Sequence, residues 1–425
     1  MALLEGYWRI YAVVAAALIA SIIIHMPVEV QEQVFRAVVN PSPVYNDVYS
    51  SYYKGVLASP CTSAVQWVNQ DARAMLCLGR RVFPVPYLDY KLPEAPLAGL
   101  AWLGLTGLAY LLAGDVLSPS YAAALYIVQS LASSLSVLTA LVLLHRWARG
   151  RDLGGQLPIG LASVIVYGVY GFDSIALPLY ILFVSSLLDK KYSRALLLSS
   201  VLTAWNPFFT VLLGLTIAYM AFEPGSLKDY AGLAAAPAAY AALYLASPPS
   251  FENLVSKYVS PVFNSSIYWL FTGAASPQAL YAAAWGVASS LILILYGLRS
   301  TNGGLADHAA SIVAAAWILN PVAVPQTVLF IIPLLHLRGA DRRVQASALA
   351  SELLNALVII TWFHDAAIRS ALNHYMGLGL PVENNPASAS SPVFWIIQAR
   401  NALVIALTAR LIADYWEGLK NQGKH

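Results

Sequence analysis

The chain alternates apolar runs with short polar interruptions. The runs cover residues 10–24, 97–113, 121–144, 157–170, 175–188, 195–204, 208–222, 230–246, 278–298, 309–319, 327–337, 346–362 and 393–412. A helix rises about 1.5 Å per residue, so a run of about 20 residues crosses the roughly 30 Å hydrocarbon core of a bilayer. Several runs are shorter than that, which predicts broken or re-entrant helices. The first run ends in Ile22-Ile23-Ile24-His25-Met26-Pro27 without a small-x-small cleavage site, so it reads as a retained span and not as a signal peptide.

Composition sharpens this picture. Hydrophobic residues make up 59% of the 425-residue chain, charged residues 11%, and mean hydropathy is +0.64. A soluble chain is nearer about 45–50% apolar and about 25% charged. Lipid must therefore be the solvent for most of this surface. The net charge of +3 gives no footing for a nucleic-acid partner. The expectation is an all-α integral membrane protein forming one polytopic bundle over residues 1–425.

Charge then orients the spans. Basic clusters fall at residues 145–151 (HRWARGR), 190–194 (KKYSR) and 338–343 (RGADRR), and Lys420 and Lys424 follow near the end. Placing them in the cytoplasm satisfies the positive-inside rule. Residues 26–95 then form a large external first loop. Residues 96–113 cannot cross and must be re-entrant or interfacial. Loops at 247–266, 320–326 and 363–392 also fall outside. The result is about twelve crossings of the cell membrane, with both termini cytoplasmic.

Polar chemistry gathers on the external side. Asp47 follows the first span, Asp89 and Glu94 close the first loop, and Asp173 sits in a turn between two short runs. A carboxylate at a membrane edge is costly to desolvate and is usually paired or functional. The bland alternatives are a cap or exposed loop acid for Asp47, a salt bridge to Lys91 or Arg81 for Asp89 and Glu94, and a helix cap for Asp173. Cys61 and Cys77 share the first loop. Outside the cell they form a disulfide that constrains the unfolded loop by about 3 kcal/mol; the alternative is two free thiols. No metal-ligand cluster, Walker loop or Gly-x-Gly-x-x-Gly element is present, so neither a metal nor a nucleotide cofactor is expected.

The order of these features resembles the GT-C superfamily of polyprenyl-phosphate-sugar-dependent glycosyltransferases, in particular the catalytic subunit of GPI mannosyltransferase I and its prokaryotic relatives. An acid follows the first span (Asp47 in NDVYSSYYKG). A tyrosine-rich stretch with acids and prolines precedes an apolar segment (PYLDYKLPEAPL). A hairpin carries a polar turn (YGFDSIALPLYI). Later come Ala204-Trp205-Asn206-Pro207, then FNSSIYW at residues 263–269 and NPVAVPQ at residues 320–326. Two positions depart from the family pattern. Asn46 stands where a second acid is common, and the family lysine near Pro207 is absent.

The resemblance implies a GT-C-like bundle that takes a sugar from a lipid phosphate and passes it to a lipid or glycan acceptor. Asp47 would be the base, with Asp89, Glu94 and Asp173 as further catalytic acids. Arg80, Arg81 and Lys91 would bind phosphate, with His364, His374 and Arg369 as rivals. Tyr49, Tyr87, Asn206, Tyr268 and Gln326 would line the substrate site. Membrane lipids complete the expected company, and the sequence names no partner subunit. Two rival readings are a non-catalytic subunit resembling the membrane scaffold of GPI transamidase and a secondary transporter. The latter should show two repeated halves, and none are visible.

Overall fold

The computed structural model describes residues 8–147, 158–222, 226–299, 304–338 and 342–422. Residues 148–151, 223–225, 300–303 and 339–341, which belong to the expected cytoplasmic loops, lie outside the described residues, as does Lys424. The described residues are helical, with only isolated bridges in place of strands. Six helices are long and apolar enough to cross a membrane. They are α1 (Trp8–His25), α4 (Pro96–Ala113), α5 (Pro119–Trp147), α12 (Pro277–Gly297), α15 (Arg342–Trp362) and α17 (Pro392–Gln422).

The remaining expected crossings are shorter helices. These are α6 (Pro158–Tyr167), α7 (Asp173–Leu188), α8 (Tyr192–Trp205), α9 (Thr210–Met220), α10 (Ala235–Ala246), α13 (Leu305–Ile318) and α14 (Val328–Arg338). Eleven residues span only about 16 Å, so these helices are short for a bilayer, as the run lengths foretold. Four helices lie within stretches that read as loops: α2 (Val28–Phe35), α3 (Gln70–Cys77), α11 (Pro248–Val259) and α16 (Asp365–Met376).

Local chemistry sets the ends. α4 has Pro96 in its first turn, where the missing N–H costs nothing, and stops at Gly114 with φ +70°. α3 starts at Asn69, whose side chain accepts from the Asp71 and Ala72 N–H groups. α6 is broken near its start, where Gly160 takes φ +104°.

The large core runs through α5–α9, α13–α15 and α17, and α1 packs on α5 and α6. A second core holds the π-helical segment Val48–Leu57, its neighbours in the first loop, α4 and the start of α5. Near the start of α5, the Tyr126 hydroxyl donates to the Ile22 carbonyl at 2.6 Å; near its end, His145 meets the Tyr11 hydroxyl at 3.0 Å. α1 and α5 are therefore antiparallel, and α5 begins on the side where α1 ends.

At the start of α4, Glu94 accepts from Tyr52; past its end, the Val116 carbonyl accepts from Tyr53 at 3.2 Å. Two adjacent residues of one segment thus bond beside both ends of α4. A disulfide joins Cys61 and Cys77 in the same loop, with Cα atoms 5.5 Å apart.

Candidate active site

The site forms where α1 hands over to the first loop. Residues 44–47 return along the end of α6 and fill its open carbonyls. Asn46 Nδ2 donates to the Val169 carbonyl at 2.7 Å, and the Asp47 N–H donates to the Tyr170 carbonyl at 2.9 Å. Asn46 Oδ1 accepts from the Tyr49 N–H at 2.8 Å, and Gln129 Nε2 shares the Val169 carbonyl at 2.8 Å. Asn46 is buried and must donate on one side. A carboxylate there would face a carbonyl with no proton between them. This accounts physically for an amide where the resembling family has an acid.

Asp47 is half-buried and accepts from Ser51 Oγ at 2.9 Å; Ser51 in turn meets the Tyr45 hydroxyl at 2.5 Å. Lost hydration pushes the Asp47 carboxyl up, the charge of Glu94 adds to this, and Ser51 and Lys257 oppose it. Glu94, just ahead of α4, accepts from the buried Tyr52 hydroxyl and from Lys257 Nζ at 2.9 Å. Lys257 lies on α11 and also donates to the Pro93 carbonyl at 3.0 Å. Lost hydration disfavours its ammonium, but Glu94, Tyr258 and Asp47 together outweigh this and favour the charged form.

Asp173 opens α7, ahead of that helix's apolar run. Its carboxylate accepts from Asn206 Nδ2 at 3.4 Å and, among the described residues, from no helix N–H group. Lost hydration, then the charge of Glu94, then that of Asp47 push it up to about 6, with Asn206 opposing. Asp47, Glu94 and Asp173 thus share one electrostatic field. Tyr52 packs on Phe172 at 5.8 Å and Trp102 at 6.0 Å, forming an aromatic wall behind Glu94. Among the described residues no group of His, Cys, Asp and Glu could hold a metal ion.

Of the residues singled out in the sequence, the structure brings together Asp47, Glu94, Asp173 and Asn206. Tyr87 supports this group from behind: its hydroxyl donates to the Glu94 and Ala95 carbonyls at 2.9 and 3.0 Å.

Asp89 stands apart. Its carboxylate accepts from Asn69 Nδ2 at 2.8 Å and the Val85 N–H at 2.6 Å, so it closes its own loop. Glu94 pairs with Lys257, where Lys91 or Arg81 was the expected partner. Arg80 and Arg81 are exposed, and Lys91 is held through its backbone to Gln66 at 2.7 Å. No contact joins these three to the carboxylates among the described residues. Tyr49 is buried against Tyr53 and Tyr126.

The two later motifs meet each other elsewhere. The Asn264 N–H donates to the Pro321 carbonyl at 3.1 Å, and the Ala323 N–H to the Asn264 carbonyl at 2.9 Å. Tyr268 donates to the Leu319 carbonyl at 3.0 Å on that side, and Gln326 follows the same loop. Arg369, a rival phosphate ligand, is fully buried. It is bound to Asp365, the Pro381 and Asn385 carbonyls and Ser390, so it staples its own loop.

Sequence reasoning missed Lys257. Ser247-Pro248-Pro249 is a helix-start signal, with proline in the first turn, and would have put Lys257 on a helix. It would not have named Glu94 as the partner. Comparison of the chain with known protein families and with curated proteins finds no match.

Proposed function

We propose that the protein is a membrane glycosyltransferase that moves a sugar from a polyprenyl-phosphate carrier to a lipid or glycan acceptor. The observation that carries this reading is the convergence of Asp47, Glu94 and Asp173, from three regions of the chain, with Lys257 at one end of an apolar helical bundle. Asp47 takes the acceptor hydroxyl proton, and its raised affinity for a proton suits a base. The acceptor oxygen bonds to the sugar's anomeric carbon as the bond from that carbon to the phosphate oxygen breaks. The electron pair leaves on the phosphate, where Lys257 faces the developing charge. Asp173 and Asn206 bind sugar hydroxyls, and the flank of α4 receives the carrier's tail. In this reading α4 is re-entrant, about twelve helices cross the plasma membrane, and both termini are cytoplasmic.

One observation favours a non-catalytic lipid-holding scaffold instead: Lys257 is already engaged by Glu94. The test is transfer of radiolabelled hexose from polyprenyl-phosphate-hexose donors by the purified protein in vesicles. Activity that falls roughly 10²–10⁴-fold in Asp47→Asn, with folding intact, is expected. A wild type that binds the carrier yet transfers nothing would favour the scaffold.

A further inference from the structure

His25 ends α1 and is 1% exposed. Both of its ring nitrogens face backbone carbonyls: Nδ1 lies 2.8 Å from the Tyr45 oxygen and 3.1 Å from that of Val44, and Nε2 lies 2.7 Å from that of Val166. A carbonyl oxygen only accepts. A neutral imidazole has one N–H, so either tautomer would set a nitrogen lone pair against a carbonyl lone pair at close range. Only the imidazolium fills both sides.

The surroundings suit a cation. His25 is the last residue of α1 and Val166 lies in the last turn of α6, so two helix C-termini turn their negative ends toward the ring. Burial away from water opposes a charge here, so it is the three facing carbonyls of Val166, Val44 and Tyr45 that carry the argument. The titratable side chains around it are Tyr170, whose ring lies 5.9 Å away, Tyr45 on the clamped segment, and Asp47 two residues beyond.

We infer that His25 is a buried imidazolium and a positioning residue for Asp47. It ties Val44 and Tyr45 to Val166, while Asn46 and the Asp47 N–H take the next carbonyls, Val169 and Tyr170. Together these bonds fix where the Asp47 carboxylate stands. The positioning role rests on the reading of Asp47 as base; the charge of His25 does not.

The charge is tested by nitrogen NMR on the full chain in lipid nanodiscs, with ¹⁵N-labelled histidine rings. The chain has seven histidines, and His25 is assigned by loss of its signal in His25→Gln. Should that variant fail to fold, single replacements of the other histidines assign it by elimination. Two similar, protonated ring nitrogens at neutral pH are expected; a split pair, one protonated and one bare, overturns the imidazolium. For the positioning role, His25→Gln should lower kcat by roughly 10- to 100-fold, the scale of a small misplacement at a reacting centre. KM for the lipid donor should not change, and His25→Lys should recover much of the rate. An unchanged kcat in folded His25→Gln overturns the positioning role. A wild type without transfer activity defeats the enzymatic reading and leaves the ring-nitrogen result to decide the charge.

Discussion

Gly99 decides whether α4 can carry Glu94 to the site. A methyl group there would lie 1.9 Å from the Tyr87 hydroxyl oxygen and 2.2 Å from its ring, against the 3.4 Å of ordinary contact. Tyr87 can give way only by swinging its ring. Its backbone is held at φ +67°, its N–H donates to the Tyr90 carbonyl at 2.9 Å, and its own carbonyl accepts from Ser250 at 2.9 Å. Gly99→Ala therefore drives the ring off the Glu94 and Ala95 carbonyls. Losing that hydrogen bond costs about 0.5–1.5 kcal/mol and the overpacking about 1–3 kcal/mol, while alanine returns about 0.5–1 kcal/mol of helix preference. The net loss is about 0.5–4 kcal/mol. Gly104 lies on the same helix with nothing within 4 Å of an added methyl. Gly104→Ala should thus gain about 0.5–1 kcal/mol. Thermal unfolding in one detergent compares the pair. Gly99→Ala should melt below wild type and Gly104→Ala at or above it, with hexose transfer reduced only in the former. Equal melting of the two variants would refute the wedge between Tyr87 and α4.

Asp173 gives a pH signature. Its carboxyl binds a proton more tightly folded, at about 6, than at its ordinary value of 3.8. The folded state then holds more protons than the unfolded one across that window, so stability falls as pH rises through it. Asp173→Asn should flatten this slope in unfolding measured from acid to neutral pH. Lys257→Met removes a charge that favours ionised Asp47, so the rise of transfer rate with pH should shift to higher pH. Reducing the Cys61–Cys77 disulfide, which closes a loop with a sequence separation of 16, should lower stability by about 3 kcal/mol. The melting temperature under reductant checks this. If α4 is re-entrant, as proposed, Ser118→Cys should react with an impermeant thiol reagent from the Asp47 side; labelling from the opposite side only would make α4 a crossing helix.

The helices were legible because lipid-facing sequence has few ways to hide. Runs of Leu, Ile, Val and Ala long enough to cross stand out, and the polar breaks between them mark the turns. Asp47, Glu94 and Asp173 were legible because each is an acid set against an apolar run, where an unpartnered charge is costly. Asp89 carries the same local signature, yet it caps its own loop through Asn69 and Val85. Sequence does not separate an acid that closes a turn from one that faces a cleft. Lys257 was hidden for the opposite reason: its partner Glu94 is 163 positions away, and no local pattern records that pairing. Arg369 looked like a free ligand for phosphate because the carbonyls and Ser390 that absorb its donors come from a bend after α16. Asn46 read as a departure from the family because the demand it meets, a donor for the Val169 carbonyl, comes from the far side of a fold the sequence does not draw.

The pairing of Glu94 with Lys257 also sets an order of events during synthesis. The chain emerges N-terminus first at about 5–20 residues per second, so Asp47, Glu94 and Asp173 are made several seconds before Lys257 leaves the ribosome. For that interval Glu94 lacks the ammonium that it binds in the folded chain. The arrival of α11 brings the Lys257 charge, which favours ionised Asp47 and Asp173. A nascent chain that ends before α11 therefore lacks the partner of Glu94, and the completed group is a late product of translation although its acids are early ones.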